Sequence, residues 1–339
     1  FIGWERKRGK LEMLNRLLNG EPQPDGQKIV HVGDSNRLDN VRFVITLDSD
    51  TQLPRDTARR MIETMAHPLN RPPFDAAAGT CASGYTIIQP RVSASLPSAT
   101  ATPFSRLFTD PVGTDPYTKA VSDVYQDLAG EGSYIGKGIY DPRAFHNVLS
   151  GRFPDQTVLS HDLIEGAHLR VAFTSDIELF DDFPSDYLTY MSREHRWIRG
   201  DWQIADWCTP RVPTGDGGRA PNPLGVLNRW KIFDNLRRSV IPAASVLFLV
   251  TAWMLSTTLG AAASILIGLL AFFPSLADRF SWVTSARGKE NRSWHELLQT
   301  AVRSIAEAPL LPHRSGVSLH AIARYAYLRL SSRRKLLQW

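Results

Sequence analysis

The stretch of sequence that decides the fold is Arg42-Phe43-Val44-Ile45-Thr46-Leu47-Asp48-Ser49-Asp50. Its apolar, largely β-branched run predicts a strand buried on both faces, as in a mostly parallel α/β sheet. Asp48 and Asp50 follow at the carboxyl end of this strand, where open α/β sheets place their ligand crevice. In an extended segment the two carboxylates would point the same way. Such ligands suit Mg²⁺ or Mn²⁺ beside a substrate phosphate; the alternative is a turn with two solvated acids.

Composition and charge limit the classes of function. The 339 residues are 43% hydrophobic, which supports a packed core and about two domains. Cys81 and Cys208 show no metal-ligand spacing and indicate a reducing compartment. Of the net charge of +5, residues 281–339 hold a surplus of seven, which leaves residues 1–280 at −2. This distribution argues against a nucleic-acid groove and fits a terminal segment on anionic lipid.

A charged cluster opens the first predicted helix. The cluster runs from Glu5 to Lys10, and the apolar face of the helix consists of Leu11, Leu14, Leu17 and Leu18. Cations and a glycine at a helix start can meet a pyrophosphate, or they can simply be solvated. A nucleotide-binding sheet usually opens with a strand, and none precedes this helix. We therefore expect the N-terminal part of the sheet to be missing.

The middle of the chain alternates helices, strands and loops. A helix is predicted from Pro54 to about His67, with Met61, Ile62 and Met65 toward the core. A long loop is predicted for residues 94–116. Four glycines between Gly130 and Gly138 indicate backbone close to a ligand, or an ordinary glycine-rich turn.

Two later helices carry candidate chemistry. Ser160 can cap a helix whose first turn holds Asp162, either as a general base or as an acid favoured by the helix dipole. A second helix, from Ser185, places Arg193, Arg196 and Arg199 near one face, beside Trp197 and Trp202. Arginines bind phosphate and tryptophans offer flat faces to sugars; the alternative is an exposed basic helix over packed tryptophans.

Two uncharged segments follow, residues 239–257 and 260–277, each long enough to cross a bilayer core of about 30 Å. Basic residues on both outer flanks place those flanks on the cytoplasmic side; the alternative is a buried soluble hairpin. Two further amphipathic patterns, residues 294–308 and 320–337, are typical of helices in the membrane interface. The predicted organisation is a partial α/β domain at 1–235, a transmembrane hairpin at 236–280 and basic interfacial helices at 281–339.

The order of these signals resembles the processive, inverting glycosyltransferases, such as cellulose and hyaluronan synthases. It is more closely similar to the glycosyltransferase module of cyclic β-1,2-glucan synthases. The matching segments are residues 5–11, 46–51, 130–141, 160–162 and 195–202. Two positions depart from the broader pattern: Ser160-His161-Asp162 replaces Thr-Glu-Asp, and Arg193 replaces a glutamine. Both departures fit the narrower family.

The resemblance implies a glycosyltransferase-A-type mixed sheet followed by transmembrane and interfacial helices. It implies a UDP-glucose donor, a growing glucan acceptor, Mg²⁺ or Mn²⁺, membrane lipid and further modules of the same parent chain as partners, and no nucleic acid. The implied location is the bacterial inner membrane, with the catalytic domain facing the cytoplasm. Other linkages or donors, a silent membrane-anchored scaffold and a metal-dependent phosphohydrolase are the competing interpretations.

The resemblance also implies roles for individual residues. Asp162 would be the general base, and Asp50 with Asp48 would hold the metal. The predicted donor contacts are Asp48, Asp50, Lys10, Arg193, Arg196 and Trp197. The predicted acceptor contacts are Gly132, Ser133, Tyr134 and Trp197. Tyr117 is the candidate for a protein-linked primer, with Tyr125 and Tyr134 as competitors.

Overall fold

A computed structural model describes residues 5–22, 38–70, 83–109, 124–284, 294–331 and 336, with the side chains of 274–284 and 294–300 left undescribed. The strands are β1 Val44–Thr46, β2 Ile87–Ala94, β3 Gly138–Tyr140, β4 Val171–Asp181, β5 Arg211–Pro213 and β6 Arg219–Pro221. The helices before the long apolar segment are α1 Arg6–Leu18, α2 Thr57–Ala66, α3 Leu96–Thr100, α4 Pro103–Phe108, α5 Val124–Ala129, α6 Pro142–Leu149, α7 Asp162–His168 and α8 Tyr187–Gln203. The later helices are α9 Val226–Leu255, α10 Thr257–Thr284, α11 Trp294–Glu307 and α12 Leu311–Ser331. Short 3-10 turns cover Pro68–Asn70, Ala205–Cys208 and Ala308–Leu310.

The main sheet is mixed, with strand order β1-β3-β2-β4. β3 pairs antiparallel with β1 and β2, whereas β2 and β4 are parallel. The α/β class is therefore confirmed, but a mostly parallel sheet is wrong for the described residues. So is the burial of the first strand on both faces, because Val44 and Ile45 of β1 are only half-buried. β1 lies at the edge of the described sheet, and its apolar run alone did not reveal whether a neighbour lay on each side.

Alternating side chains divide the core into two layers, one on each face of the sheet. Ile87, Tyr140 and Val171 face a large cluster that includes residues of α6 and α7. The next residues on two of these strands, Ile88 and Ala172, face a smaller cluster with Met61 and Met65 of α2. Because successive strand residues point to opposite faces, helices can cover the sheet on both sides.

Two local predictions are corrected. α2 begins at Thr57 rather than Pro54, and Ile62 is 44% exposed and does not enter the core. The predicted loop from residue 94 contains α3 and α4. Ser95 and Thr102 cap these helices by accepting hydrogen bonds from backbone N–H groups, and a proline lies in each first turn. The Ser/Thr-and-proline composition that predicted a loop therefore supplies helix starts.

The apolar part of the chain folds as α9 and α10, which pack against each other. Among the described residues, α9 is the one helix long and apolar enough to cross a membrane, and 11% of its most apolar window is buried. A shorter apolar run covers Thr257–Phe273. The predicted boundary at residue 235 falls inside α9. The predicted transmembrane hairpin and the predicted domain limits stay predictions.

The last described helix returns to the α/β part. α12 begins at Leu311, nine residues before the predicted start, and packs against both α8 and α9. Arg329 of α12 donates two hydrogen bonds to Asp206, of 3.0 and 2.9 Å. Arg199 and Gln203 of α8 both donate to the backbone carbonyl of Leu336. The C-terminal region therefore covers the helix that carries Arg196 and Trp197.

Candidate active site

Two lysines hold the first carboxylate after β1. Lys7 Nζ lies 2.5 Å from Asp48 Oδ1, and Lys137 Nζ lies 3.2 Å from Asp48 Oδ2. Lys137 also pairs with Asp181, whose carboxylate is fully buried. Burial would raise the pKa of Asp48, but the two ammonium groups outweigh it and lower this pKa. This end of the sheet therefore places two positive charges around one ionised carboxylate.

Gly136 joins this carboxylate to the predicted base. Its carbonyl oxygen accepts a hydrogen bond of 2.8 Å from Lys7 Nζ. Its Cα faces Asp162 so closely that an added Cβ would lie 2.6 Å from Asp162 Oδ1. The backbone angle φ is +86°, which favours glycine. Asp48, Lys7 and Asp162 consequently meet around one glycine.

For the glycosyl transfer that the resemblance implies, with Asp162 as base, we expect Gly136→Ala to lower the rate about 100-fold, because displacement of a catalytic group by about 1 Å costs that much. The matched control is Gly217→Ala, in the β5–β6 turn. Its φ is +84°, and nothing lies within 4 Å of its added Cβ. Both variants introduce the same left-handed strain, but only the first meets Asp162. Equal initial rates of the two variants, at equal protein amounts, would contradict the assigned contact.

A second glycine brings the arginine helix to the same place. A Cβ on Gly200 of α8 would lie 1.8 Å from Ser160 Oγ, so the helix touches the segment that leads to Asp162. Arg196 lies one turn earlier. Burial and Arg193 lower the pKa of Arg196, while Asp48 and Asp50 act in the opposite direction. Its guanidinium thus interacts with both carboxylates after β1.

Arg193 and Trp197 form the outer part of this helix face. The guanidinium carbon of Arg193 lies 4.6 Å from the centre of the Trp197 ring. Trp197 is 38% exposed, which leaves part of its ring open to a ligand. Arg193 and Trp197, two of the predicted contacts on α8, therefore lie together on the helix that also carries Arg196.

The base candidate is the first residue of α7, and His161 rather than Ser160 occupies the capping position. Asp162 Oδ1 is buried and accepts no hydrogen bond, whereas the side chain as a whole is 30% exposed. His161 Nδ1 lies 2.9 Å from Glu165 Oε2 and 3.4 Å from Asp162 Oδ1. Among the described residues, Asp162 Oδ1 therefore accepts no hydrogen bond, and the exposed part of the side chain is what an acceptor hydroxyl could reach, as a general base requires.

Several predicted contacts are placed differently. Lys10 is exposed, and Lys7, one turn earlier, is the lysine that reaches Asp48. Gly132 is buried against Phe173, and Ser133 and Tyr134 are 3% and 1% exposed. Gly132, Ser133 and Tyr134 therefore occupy packed positions, and their predicted role as acceptor contacts stays a prediction. Tyr117 lies outside the described residues, so its role as primer stays a prediction.

The donor set after β1 is compatible with one divalent ion. The chain turns at Ser49 and Asp50; Asp48 contacts the two lysines, and Asp50 is exposed. Mg²⁺ commonly takes one or two carboxylates together with substrate phosphates, which suits Asp50 with Asp48 in support. Among the described residues, one trio of closely spaced acid and histidine side chains occurs, His161, Asp162 and Glu165. The His161–Glu165 hydrogen bond accounts for that trio, so we do not assign it to a metal.

Sequence reasoning missed Lys7, Lys137, Gly136, Gly200 and His161. Lys7 and Lys137 stand in segments already singled out, but nothing in their spacing tells which lysine turns inward. Gly136 was one of four closely spaced glycines, and its positive φ identifies it only in the structure. His161 stands next to Asp162 in the sequence, and its four-residue spacing from Glu165 is the signal that could have found this pair.

Comparison with known proteins gives one informative relative. The chain is 38% identical, over a 353-residue alignment, to the cyclic β-(1,2)-glucan synthase NdvB of Rhizobium meliloti (strain 1021). The alignment covers 100% of this chain and 12% of that protein. No protein-family model matches the chain.

Proposed function

Because the chain is 38% identical over its whole length to a segment of a cyclic β-(1,2)-glucan synthase, we propose that it is a module of this family and carries its glucose-transfer site. The proposed reaction is inverting transfer of glucose from UDP-glucose to the 2-hydroxyl of a growing β-1,2-glucan. The observation that carries the proposal is a pair of contacts at Gly136. Lys7 donates to both Asp48 and the Gly136 carbonyl, and Asp162 packs against the Cα of the same glycine. It supports a phosphate-binding pole and a proton acceptor placed side by side, as such a transfer requires.

In this reaction the acceptor oxygen attacks the anomeric carbon from the face opposite UDP. A new carbon–oxygen bond forms, the bond to UDP breaks, and UDP keeps the electron pair. The acceptor proton passes to the carboxylate of Asp162. General base catalysis of this kind contributes about 10²–10⁴-fold. The side chain of Asp162, which is 30% exposed and has one oxygen that accepts no hydrogen bond from the described residues, supports this role.

Positive side chains would stabilise the charge that develops on the leaving diphosphate. Lys7 and Lys137 now neutralise Asp48, and Arg196 interacts with both Asp48 and Asp50. A bound diphosphate offers these cations a competing anion. We infer that Lys7 exchanges part of its contact with Asp48 for the donor, since its side chain is 32% exposed.

Asp50, with Asp48, would hold Mg²⁺ or Mn²⁺ on the donor. When bound, the ion would neutralise charge on the diphosphate as UDP departs. Asp50 supports this role because it is exposed at the turn that follows β1.

The exposed part of Trp197 would form a wall of the acceptor site, since an aromatic face can stack on a sugar ring. Lys231 of α9 is buried and donates a 2.7 Å hydrogen bond to the carbonyl of Gly132. This bond ties α9 to the glycine-rich segment beside the site. With α9 and α10 in the inner membrane, the transfer site would face the cytoplasm close to the lipid.

The test is labelled glucose transfer from UDP-glucose in membranes that carry the full parent chain, with linkage analysis of the product. We expect a β-1,2-linked product that is lost on chelation and recovered with Mg²⁺ or Mn²⁺. A different linkage would move the chain's activity to another synthase class. Absence of transfer from UDP-glucose and from other nucleotide sugars would favour the silent scaffold instead.

A further inference from the structure

His161 and Glu165 form a buried pair that the proposed chemistry does not use. The two residues are 4% and 2% exposed, and His161 Nδ1 lies 2.9 Å from Glu165 Oε2. The same nitrogen lies 3.4 Å from Asp162 Oδ1. One imidazole therefore stands between two carboxylates, one of which is the proposed base.

The other charged and titratable groups around this pair come from neighbouring elements. The positive charge of Lys7 of α1 acts to lower the pKa of His161. Arg8 and Glu12 of α1 and His146 of α6 line a small cavity with Glu165. The phenols of Tyr134 and Tyr140 lie near enough to Glu165 for its charge to raise their pKa values, although burial contributes more. His161 is the group that contacts both Asp162 and Glu165 among these.

The charge of His161 follows from this environment. Burial would lower the pKa of His161, but the carboxylates of Glu165 and Asp162 outweigh burial and the opposing charge of Lys7, and raise the pKa. A raised pKa keeps the imidazole charged to a higher pH than an ordinary histidine. The cation balances Glu165, so that Asp162 does not face an uncompensated carboxylate.

We propose that His161 is a positioning residue that, through its contacts with Glu165 and Asp162, keeps the base carboxylate ionised and aimed at the acceptor. This inference rests on the proposed glucose transfer. Without the imidazole, the carboxylates of Asp162 and Glu165 would have no cation between them. They would then share a proton, because two neighbouring like charges cannot both ionise readily. The pair thus explains why a buried Glu165 lies one helical turn from the base.

The test measures transfer from saturating UDP-glucose against pH for the parent chain and three variants: H161Q, E165Q and the double variant H161Q/E165Q. For H161Q we expect the acid-side pH of half-maximal rate to rise by about 1 unit or more, since Glu165 then raises the proton affinity of the site. For E165Q we expect it to stay or fall. The double variant restores charge balance, so its half-maximal pH should return close to that of the wild type.

A packing role would give a different pattern. It predicts that the double variant is at least as impaired as either single variant and that the acid-side pH of half-maximal rate does not return toward the wild-type value. That result overturns the inference, and so does an unchanged half-maximal pH in H161Q. If H161Q does not accumulate, an active double variant whose acid-side half-maximal pH equals that of the wild type supports charge balance. If neither H161Q nor the double variant accumulates, the inference is overturned.

Failure of the proposed function is separately visible. If Asp162→Asn keeps wild-type transfer, then Asp162 is not the base and the proposed mechanism fails. If Asp162→Asn is inactive but H161Q leaves the acid-side pH of half-maximal rate unchanged, only the positioning role of His161 fails.

Discussion

Asp162→Asn is expected to lower glucose transfer at least about 10²–10⁴-fold while UDP-glucose still binds. The substitution keeps the size and shape of the side chain but removes the proton acceptor. It leaves Lys7, Lys137 and Arg196 in place around Asp48 and Asp50, so the donor pole is intact. The measurements are initial rates in membranes and equilibrium binding of UDP-glucose to the purified parent chain.

Asp141→Asn is the matched control for this variant. Asp141 caps α6 by accepting hydrogen bonds from the N–H groups of Arg143 and Ala144, and asparagine caps helices about as well. It should therefore leave transfer near the wild-type rate. Wild-type-like turnover in Asp162→Asn would exclude Asp162 as the base. Loss of donor binding together with transfer would place Asp162 in the donor site instead.

The sequence predicted the helices and strands that carry the site, but not the contacts between their side chains. The apolar run before Asp48 predicted β1, the leucine spacing from Leu11 to Leu18 predicted α1, and the pattern from Ser185 predicted α8. These patterns are local, because strand and helix periods place apolar residues on one side within a few residues.

The contacts within the site were not predictable in this way, since each joins residues far apart in the chain. Lys7 reaches Asp48 and Gly136, which lie 41 and 129 positions away. The same limit applies to the burial of side chains. Which of the lysines in α1 turns inward depends on what packs beside the helix, and the burial of Ser133 and Tyr134 depends on residues far away in the sequence.

Lys137→Met is expected to destabilise the β2–β4 part of the sheet by about 3–5 kcal/mol, the usual cost of breaking a buried ion pair from one side. The Lys137 side chain is 8% exposed and that of Asp181 is 1% exposed, so the remaining carboxylate would stay buried without its cation. Thr51 Oγ1 still donates a 2.7 Å hydrogen bond to Asp181, which does not neutralise the charge. Amide hydrogen exchange of peptides from β2 and β4 in the purified parent chain measures the change.

Two variants separate burial from mere pairing. Arg91 and Glu178 form a cross-strand pair in the same β2–β4 ladder, 3.1 Å apart, with side chains 25% and 30% exposed. Arg91→Met should cost under about 1 kcal/mol, because water screens such a pair. The double variant K137M/D181L replaces the buried ions by apolar groups and should regain most of the exchange protection.

The double variant K137M/D181L also tests whether Lys137 contributes to stability alone or to both stability and glucose transfer. It leaves Asp48 with Lys7 but without its second ammonium at 3.2 Å. If Lys137 serves only the fold, transfer should recover together with exchange protection. If it also neutralises the donor diphosphate, protection should return while transfer stays low. Unchanged exchange in Lys137→Met would contradict the burial of the pair. We expect the split result, because the same ammonium contacts the core carboxylate and the carboxylate that faces the donor pole.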